Sequence, residues 1–333
     1  MKIKIFIDTV KKQGEILLNE TWKTSLILFK IIIPVSVATK LMTDWGIVDY
    51  AGMALGHVMG LAGLPGSMGV VWATAMILNL YTAIIVFFSM PVSGHLTIAQ
   101  VTTLSTMMLV AHALPVELGI ARKAGIRLWF MLVFRVAGAF ASGIMLYHLY
   151  RMGGFLQTEF TAVWKPDMVD LSWGMWALSQ LKTLISIYII ILFLLITVRL
   201  LSWLHITDML GRLLRPLLFM MGIGKDAVPV TIIGMTMGIG YGGGMIIREA
   251  HSGRLSQREI FFSLSFMGLM HSMIEDTLLM IFLGGHVTGV LLFRFVFAML
   301  IIFIMVKLMR RLSDERFYRY FFRTQRDVVK YSD

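Results

Sequence analysis

His112, Glu117 and Arg135 are matched further along the chain by His271, Asp276 and Arg294, with the same spacing inside each set. Imidazole and carboxylate side by side suit a proton relay or a divalent metal ion. The arginine suits charge neutralisation, because an ionisable side chain at the centre of a bilayer costs from about 2.5 kcal/mol upward and is normally paired. Glu275 comes one helical turn after His271, on the same face of a helix, and its counterpart in the first set is Val116. These residues give a candidate metal set of His112, His271 and Glu275, and a candidate proton-coupling or ion-binding set of Glu117, Glu275 and Asp276.

The elements that carry them are apolar. Hydrophobic residues make up 58% of the chain and charged residues 15%, and the mean hydropathy is +0.80. Apolar runs at 26–42, 70–90, 128–149, 184–201 and 287–309 approach the roughly 20 residues that cross a hydrocarbon core. The chain therefore reads as a multi-span protein of the bacterial inner membrane. With no cysteine there are no disulfides, thiolate metal sites or haem attachment motifs. The net charge of +11 fits basic cytoplasmic loops better than nucleic acid. The expected partners are membrane lipid and a small solute or ion, with a homo-oligomer open. No cofactor is indicated beyond a bound cation, and no serine–histidine–acid spacing points to an enzyme.

Shifted by 159 residues, the chain aligns with itself without a gap. "IVDYAG" falls on "ITDMLG", "SGHLT" on "SGRLS", and the two charged sets on each other. This duplication divides the sequence into an amphipathic cytoplasmic helix (1–21), a first transmembrane repeat (22–150), an external connector (151–181), a second repeat (182–310) and a basic cytoplasmic tail (311–333) lying on anionic lipid. Lys and Arg concentrate in cytoplasmic loops. Placing the basic clusters near 122–127, 199–225 and 248–258 on one side makes the repeats inverted, with both termini cytoplasmic. The expected fold is an all-α integral membrane protein of two inverted-topology repeats, each with three spanning helices and a re-entrant helical hairpin.

Glycine supports the hairpins. "MGIGYGGGM" interrupts an apolar run, and its counterpart in the first repeat is the polar patch "NLYT". Interrupted backbone at membrane depth survives only where protein or a wet cavity surrounds it, and transporters place binding sites there. The G-x-G-x-x-G in this stretch lacks the strand and acidic residue of a dinucleotide site. Candidate substrate-binding residues are Asn79, Tyr81, Thr82, Gly238, Gly240 and Tyr241, together with His112 and His271. Pro115 removes a backbone donor beside His112 and predicts a helix break there. Glu117 and Arg135 lie symmetrically about residue 126, and Asp276 and Arg294 about residue 285. Equal distance from a turn means equal depth, about 13 Å in, which predicts two intramembrane salt bridges, Glu117–Arg135 and Asp276–Arg294.

"KIIIPVSVATKL", "GLPGS", "AHALPVE" and the later "RV" at Arg135 resemble the bacterial nucleoside-recognition (Gate) domain membrane proteins, whose core is similar in design to concentrative nucleoside transporters. The resemblance covers about residues 20–150, with an echo over about 182–310. It implies transport through re-entrant hairpins and broken helices, and does not establish nucleoside as the substrate. The leading functional expectation is a secondary transporter of a small polar or anionic solute, open to proton coupling, with a midplane site between the repeats. The alternatives are a divalent metal-ion permease using the His/carboxylate cluster, and a membrane assembly protein or lipid-acting membrane enzyme.

Overall fold

The computed structural model describes residues 2–90, 95–162 and 172–323, with backbone alone at 2–11, 207, 237, 239–241 and 251. The described chain is built of helices. The first half runs α1 (Lys2–Asp44), α2 (Ile47–Gly60), α3 (Met68–Ile77), α4 (Leu80–Ser89), α5 (Ile98–Val110), α6 (Leu114–Lys123) and α7 (Leu128–Gly153). The second runs α8 (Trp173–Trp203), α9 (Ile206–Met220), α10 (Val228–Met237), α11 (Ile239–Ser252), α12 (Gln257–Leu269), α13 (Glu275–Leu283), a π-helical turn (Thr288–Phe293) and α14 (Arg294–Met309), and α15 (Asp314–Tyr320) follows. The order repeats at the offset seen in the sequence, with α5 falling on α12 residue for residue.

Local chemistry sets the shared boundaries. Thr97 and Gln100 form a capping box at the start of α5, and Ser256 and Glu259 form the same box at the start of α12. Asn79 caps α4 through Thr82 N, so α3 and α4 pack side by side as a hairpin. Gly238, at φ +96°, turns α10 into α11 in a backbone conformation that L side chains rarely adopt.

Helices α5 and α12 are buried along nearly their whole length and make the centre of the core. Helix α7 packs on α5 and α14 on α12, while α12 also touches α5 and α7, so the halves interlock there. Outside this centre α1 packs against α8 and α4. Among the described residues five helical stretches are long and apolar enough to cross a membrane: Lys12–Asp44, Ile98–Lys123, Leu128–Gly153, Trp173–Trp203 and Thr288–Met309.

Three sequence boundaries change. The expected helix over 1–21 is not separate in its described part, because α1 runs unbroken from Lys2 to Asp44. Nothing at 21–22 stops a helix, and Glu20 ties this end to Arg199 of α8. The connector is shorter than expected, since α8 begins at Trp173; its 163–171 portion lies outside the described residues. The start of the tail packs on protein instead of lying on lipid. Phe317 is fully buried against Phe261, Arg258 stacks over its ring at 4.7 Å, and Arg127 donates to the Tyr318 carbonyl at 3.0 Å.

Phe317→Ala therefore lowers unfolding stability in detergent by about 3 kcal/mol, the cost of emptying a buried aromatic site. Unchanged thermal unfolding of that variant would return the tail to the lipid surface.

Candidate functional site

Both central helices break beside a histidine. Helix α5 ends at Val110, Ala113 takes φ +45°, and α6 starts at Leu114 with Pro115 in its first turn. Helix α12 ends at Leu269, its equivalent Ser272 takes φ +44°, and α13 starts at Glu275. A non-glycine residue held in the left-handed region is strained by about 1 kcal/mol or more, and here the same strained position occurs in both copies.

A helix break exposes carbonyls on one side and amides on the other, and in an apolar core both need partners. The arginines meet the carbonyls. Arg135 Nε donates to Val110 O at 3.1 Å, and its equivalent Arg294 Nε to Leu269 O at 3.0 Å. Arg294 Nη2 adds bonds to Leu109 O and His271 O, each 3.1 Å. The hairpins meet the amides: Ala113 N donates to Ala75 O at the end of α3, and Met273 N to Met235 O at the end of α10. Glu117 and Asp276 sit in the first turns of α6 and α13. Each charge thus faces the helix end of opposite partial charge.

The histidines meet between the breaks. His112 Nδ1 lies 3.0 Å from Met108 O, His271 Nδ1 lies 2.8 Å from Met267 O, and the two Nε2 atoms are 3.1 Å apart. A carbonyl only accepts, so each Nδ1 donates, and each ring turns its Nε2 toward the other. The carboxylates close the group crosswise. Asp276 Oδ2 is 3.4 Å from His112 Nε2, and Glu117 Oε1 is 3.3 Å from His271 Nε2, while the distances within each half are 3.7 and 4.0 Å. These four atoms face one another in a buried site.

Of the two expected salt bridges, one forms. Arg135 Nη1 pairs with Glu117 Oε2, whereas Arg294 makes no ion pair with Asp276 among the described residues: its guanidinium is drawn to three carbonyls, and Asp276 turns to the histidines. Arg135 Nη2, Arg294 Nη1 and Asp276 Oδ2 are left buried without a hydrogen-bond partner. Glu275 is also corrected. It points to Tyr81 of α4, whose hydroxyl is 3.5 Å from its Oε1, and Glu117 takes its place beside the histidines. Helical spacing from His271 fails because the helix is broken between the two residues. Asn79 and Thr82 bond each other in the hairpin cap, and Gly238 packs near Ser272 Oγ. The Tyr241 side chain and the surroundings of Gly240 lie outside the described residues. Sequence reading missed the crosswise pairing and the arginine-capped carbonyls. The equal spacing of both sets is the one signal that hinted at either.

The chain is 29% identical over 291 residues to an uncharacterized membrane protein, YvoD, of Bacillus subtilis (strain 168), over 84% of this chain and 89% of the relative. No family model and no solved structure matches. The apolar helices and this relative agree that the chain is a membrane protein.

The asymmetry of the two arginines is measurable. Glu117→Gln leaves Arg135 buried and uncompensated and costs about 3 kcal/mol of stability, while Asp276→Asn breaks no arginine pair and costs less than about 1 kcal/mol. Joint replacement by Glu117→Leu and Arg135→Met does not recover the loss, because it also strips Val110 O of its donor. Equal costs for the two single variants, read by thermal unfolding in detergent, would contradict the pairing described.

Proposed function

We propose that the chain is a secondary transporter of the bacterial inner membrane, built from two inverted repeats, whose central histidines and carboxylates take up a cation during the transport cycle. The observation that carries this reading is the convergence of four lone-pair donors at 3.1–4.0 Å. Such a group is stable only with an electrophile among its members. A proton shared by the two Nε2 atoms fills that role, and it makes the pair a carrier of coupling charge.

The dimensions support inversion. Each hairpin helix of the first half has 10 residues, about 15 Å, which is half of the roughly 30 Å hydrocarbon core. A hairpin of that size reaches the middle and returns. Counting α1, the α5–α6 pair and α7 as crossings gives three to a repeat, and an odd number inverts the next copy. In each copy the hairpin tip then meets the helix break, in keeping with the Ala113–Ala75 and Met273–Met235 bonds. Alternating access by movement of hairpins against broken helices follows. The solute is a small polar or anionic molecule, in keeping with the unpartnered guanidinium donors of Arg135 and Arg294 and with the resemblance to nucleoside-recognition membrane proteins.

A second reading has its own observation: ligand atoms of His112, Glu117 and His271 lie within 4.8 Å of one another. Ligands about 2.0–2.1 Å from a tetrahedral divalent ion stand about 3.3 Å apart. The central distances bracket that value, and a backbone carbonyl behind each imidazole is the usual support of a metal-binding histidine. In this reading the metal ion is the cargo.

Purified protein in liposomes is expected to show solute-dependent or proton-dependent flux that falls at least about ten-fold in His271→Ala. No flux across a panel of organic anions, nucleosides, amino acids and divalent cations would contradict the proposal, as would full flux in the variant. Divalent-metal stabilisation that disappears in His271→Ala selects the second reading, and indifference to every metal tested removes it.

A further inference from the structure

The two copies of the repeat differ sharply at the face where the short helix after the first span meets the first arm of the hairpin. In the first copy glycine closes that face. Gly52 of α2 lies against the backbone of Gly66 and Ser67, and any side chain on Gly66 would run into the Gly52 carbonyl. In the second copy α9 and α10 stand around a cavity of about 500 Å³ lined by Asp208, Arg212, Arg215, Lys225, Pro229 and Ile232. The repeat offset puts Arg212 on Met53, Arg215 on Gly56 and Lys225 on Gly66. Gly52 is kept as Gly211 in the cavity wall, while Arg215 and Lys225 stand where Gly56 and Gly66 let the first copy close.

We infer that the cavity between α9 and α10 binds the anionic headgroup of a membrane phospholipid. Three basic side chains share it with one carboxylate, and that carboxylate is engaged: Asp208 lies 2.9 Å from His205 Nδ1. Phosphate oxygens match the forked donors of the two arginines and the point charge of the lysine. The outward face of α9 adds the lipid-specific part. Met209, Leu213 and Met220 are all exposed and fall on one side of the helix at its natural period. A basic edge beside an apolar stripe is the pattern of a helix lying at a membrane interface, and basic pockets between membrane helices take lipid headgroups. A free phosphate ion would fill the cavity and leave the stripe bare; a phospholipid covers both.

Topology alone asks for basic residues in a cytoplasmic loop. It does not ask that three of them line one cavity, nor that this face be open where its counterpart is sealed. The headgroup sits beside α10, the arm that ends at the hairpin turn Gly238, next to Ser272 and the His271 break.

The test uses the full chain, delipidated in neutral detergent, with phosphatidylglycerol, phosphatidylcholine of the same acyl chains and inorganic phosphate as probes. Binding is read by native mass spectrometry and by the shift in thermal unfolding. Saturable binding of phosphatidylglycerol is expected, about ten-fold or more tighter than phosphatidylcholine. It weakens by about ten-fold or more in R212Q/R215Q/K225Q and is unchanged in the charge-matched K307Q/R316Q/R319Q. Should the triple variant fail to fold, Lys225→Gln alone, at an exposed turn position, is expected to weaken binding about three-fold. Equal affinity for the two lipids, equal loss in the charge-matched control, or no loss in Lys225→Gln overturns the proposal. Inorganic phosphate protecting as well as phosphatidylglycerol assigns the cavity to a free anion instead.

Discussion

The fold depends on one constraint: two helices are interrupted deep inside an apolar core, and every polar group at the interruptions must find a partner. Backbone polar groups left bare there cost several kcal/mol each. The solution repeats in both halves. An arginine from the following long helix caps the carbonyl end, a hairpin carbonyl caps the amide end, and a carboxylate occupies the first turn beyond the break. Once these are in place, the histidines within the two breaks are brought face to face. The hairpins, the long helices and the polar centre are thus consequences of one arrangement made twice.

Duplication with divergence accounts for what differs. The first copy keeps its ion pair, while the second releases its aspartate to the histidines and uses its arginine on carbonyls of both halves. The result is a centre whose two carboxylates are not equivalent, one in direct contact with an arginine and one turned to the histidines. The α2–α3 face is sealed by glycine and the α9–α10 face is opened and charged. Two copies of one unit have thus come to differ in chemistry at equivalent faces.

Much of this was legible in the sequence because duplication multiplies weak signals. The offset paired the two charged sets and the glycine break with the NLYT patch, and Pro115 marked one break. The other break, at Ser272, carries no proline and was visible only through its counterpart. The Asp276–Arg294 pair was not to be had from spacing. Equal depth fixes height along two helices but not the rotation of side chains, and nearby bare carbonyls competed for the guanidinium. Glu275 was misassigned for a related reason, since helical spacing carries no information across a break. The tail shows another limit: an amphipathic basic–aromatic segment reads the same whether its apolar face meets lipid or Phe261.

The central claim is that the two halves are upside down relative to each other and meet at the helix breaks. The chain has no cysteine, so a single thiol can be placed at will. His95 and Arg254 are equivalent positions at the outer ends of the two hairpins, and both side chains are exposed. In cells carrying His95→Cys or Arg254→Cys, an impermeant thiol reagent added from outside is predicted to label the first and leave the second untouched until the membrane is opened. Labelling of both from the same side would contradict the account.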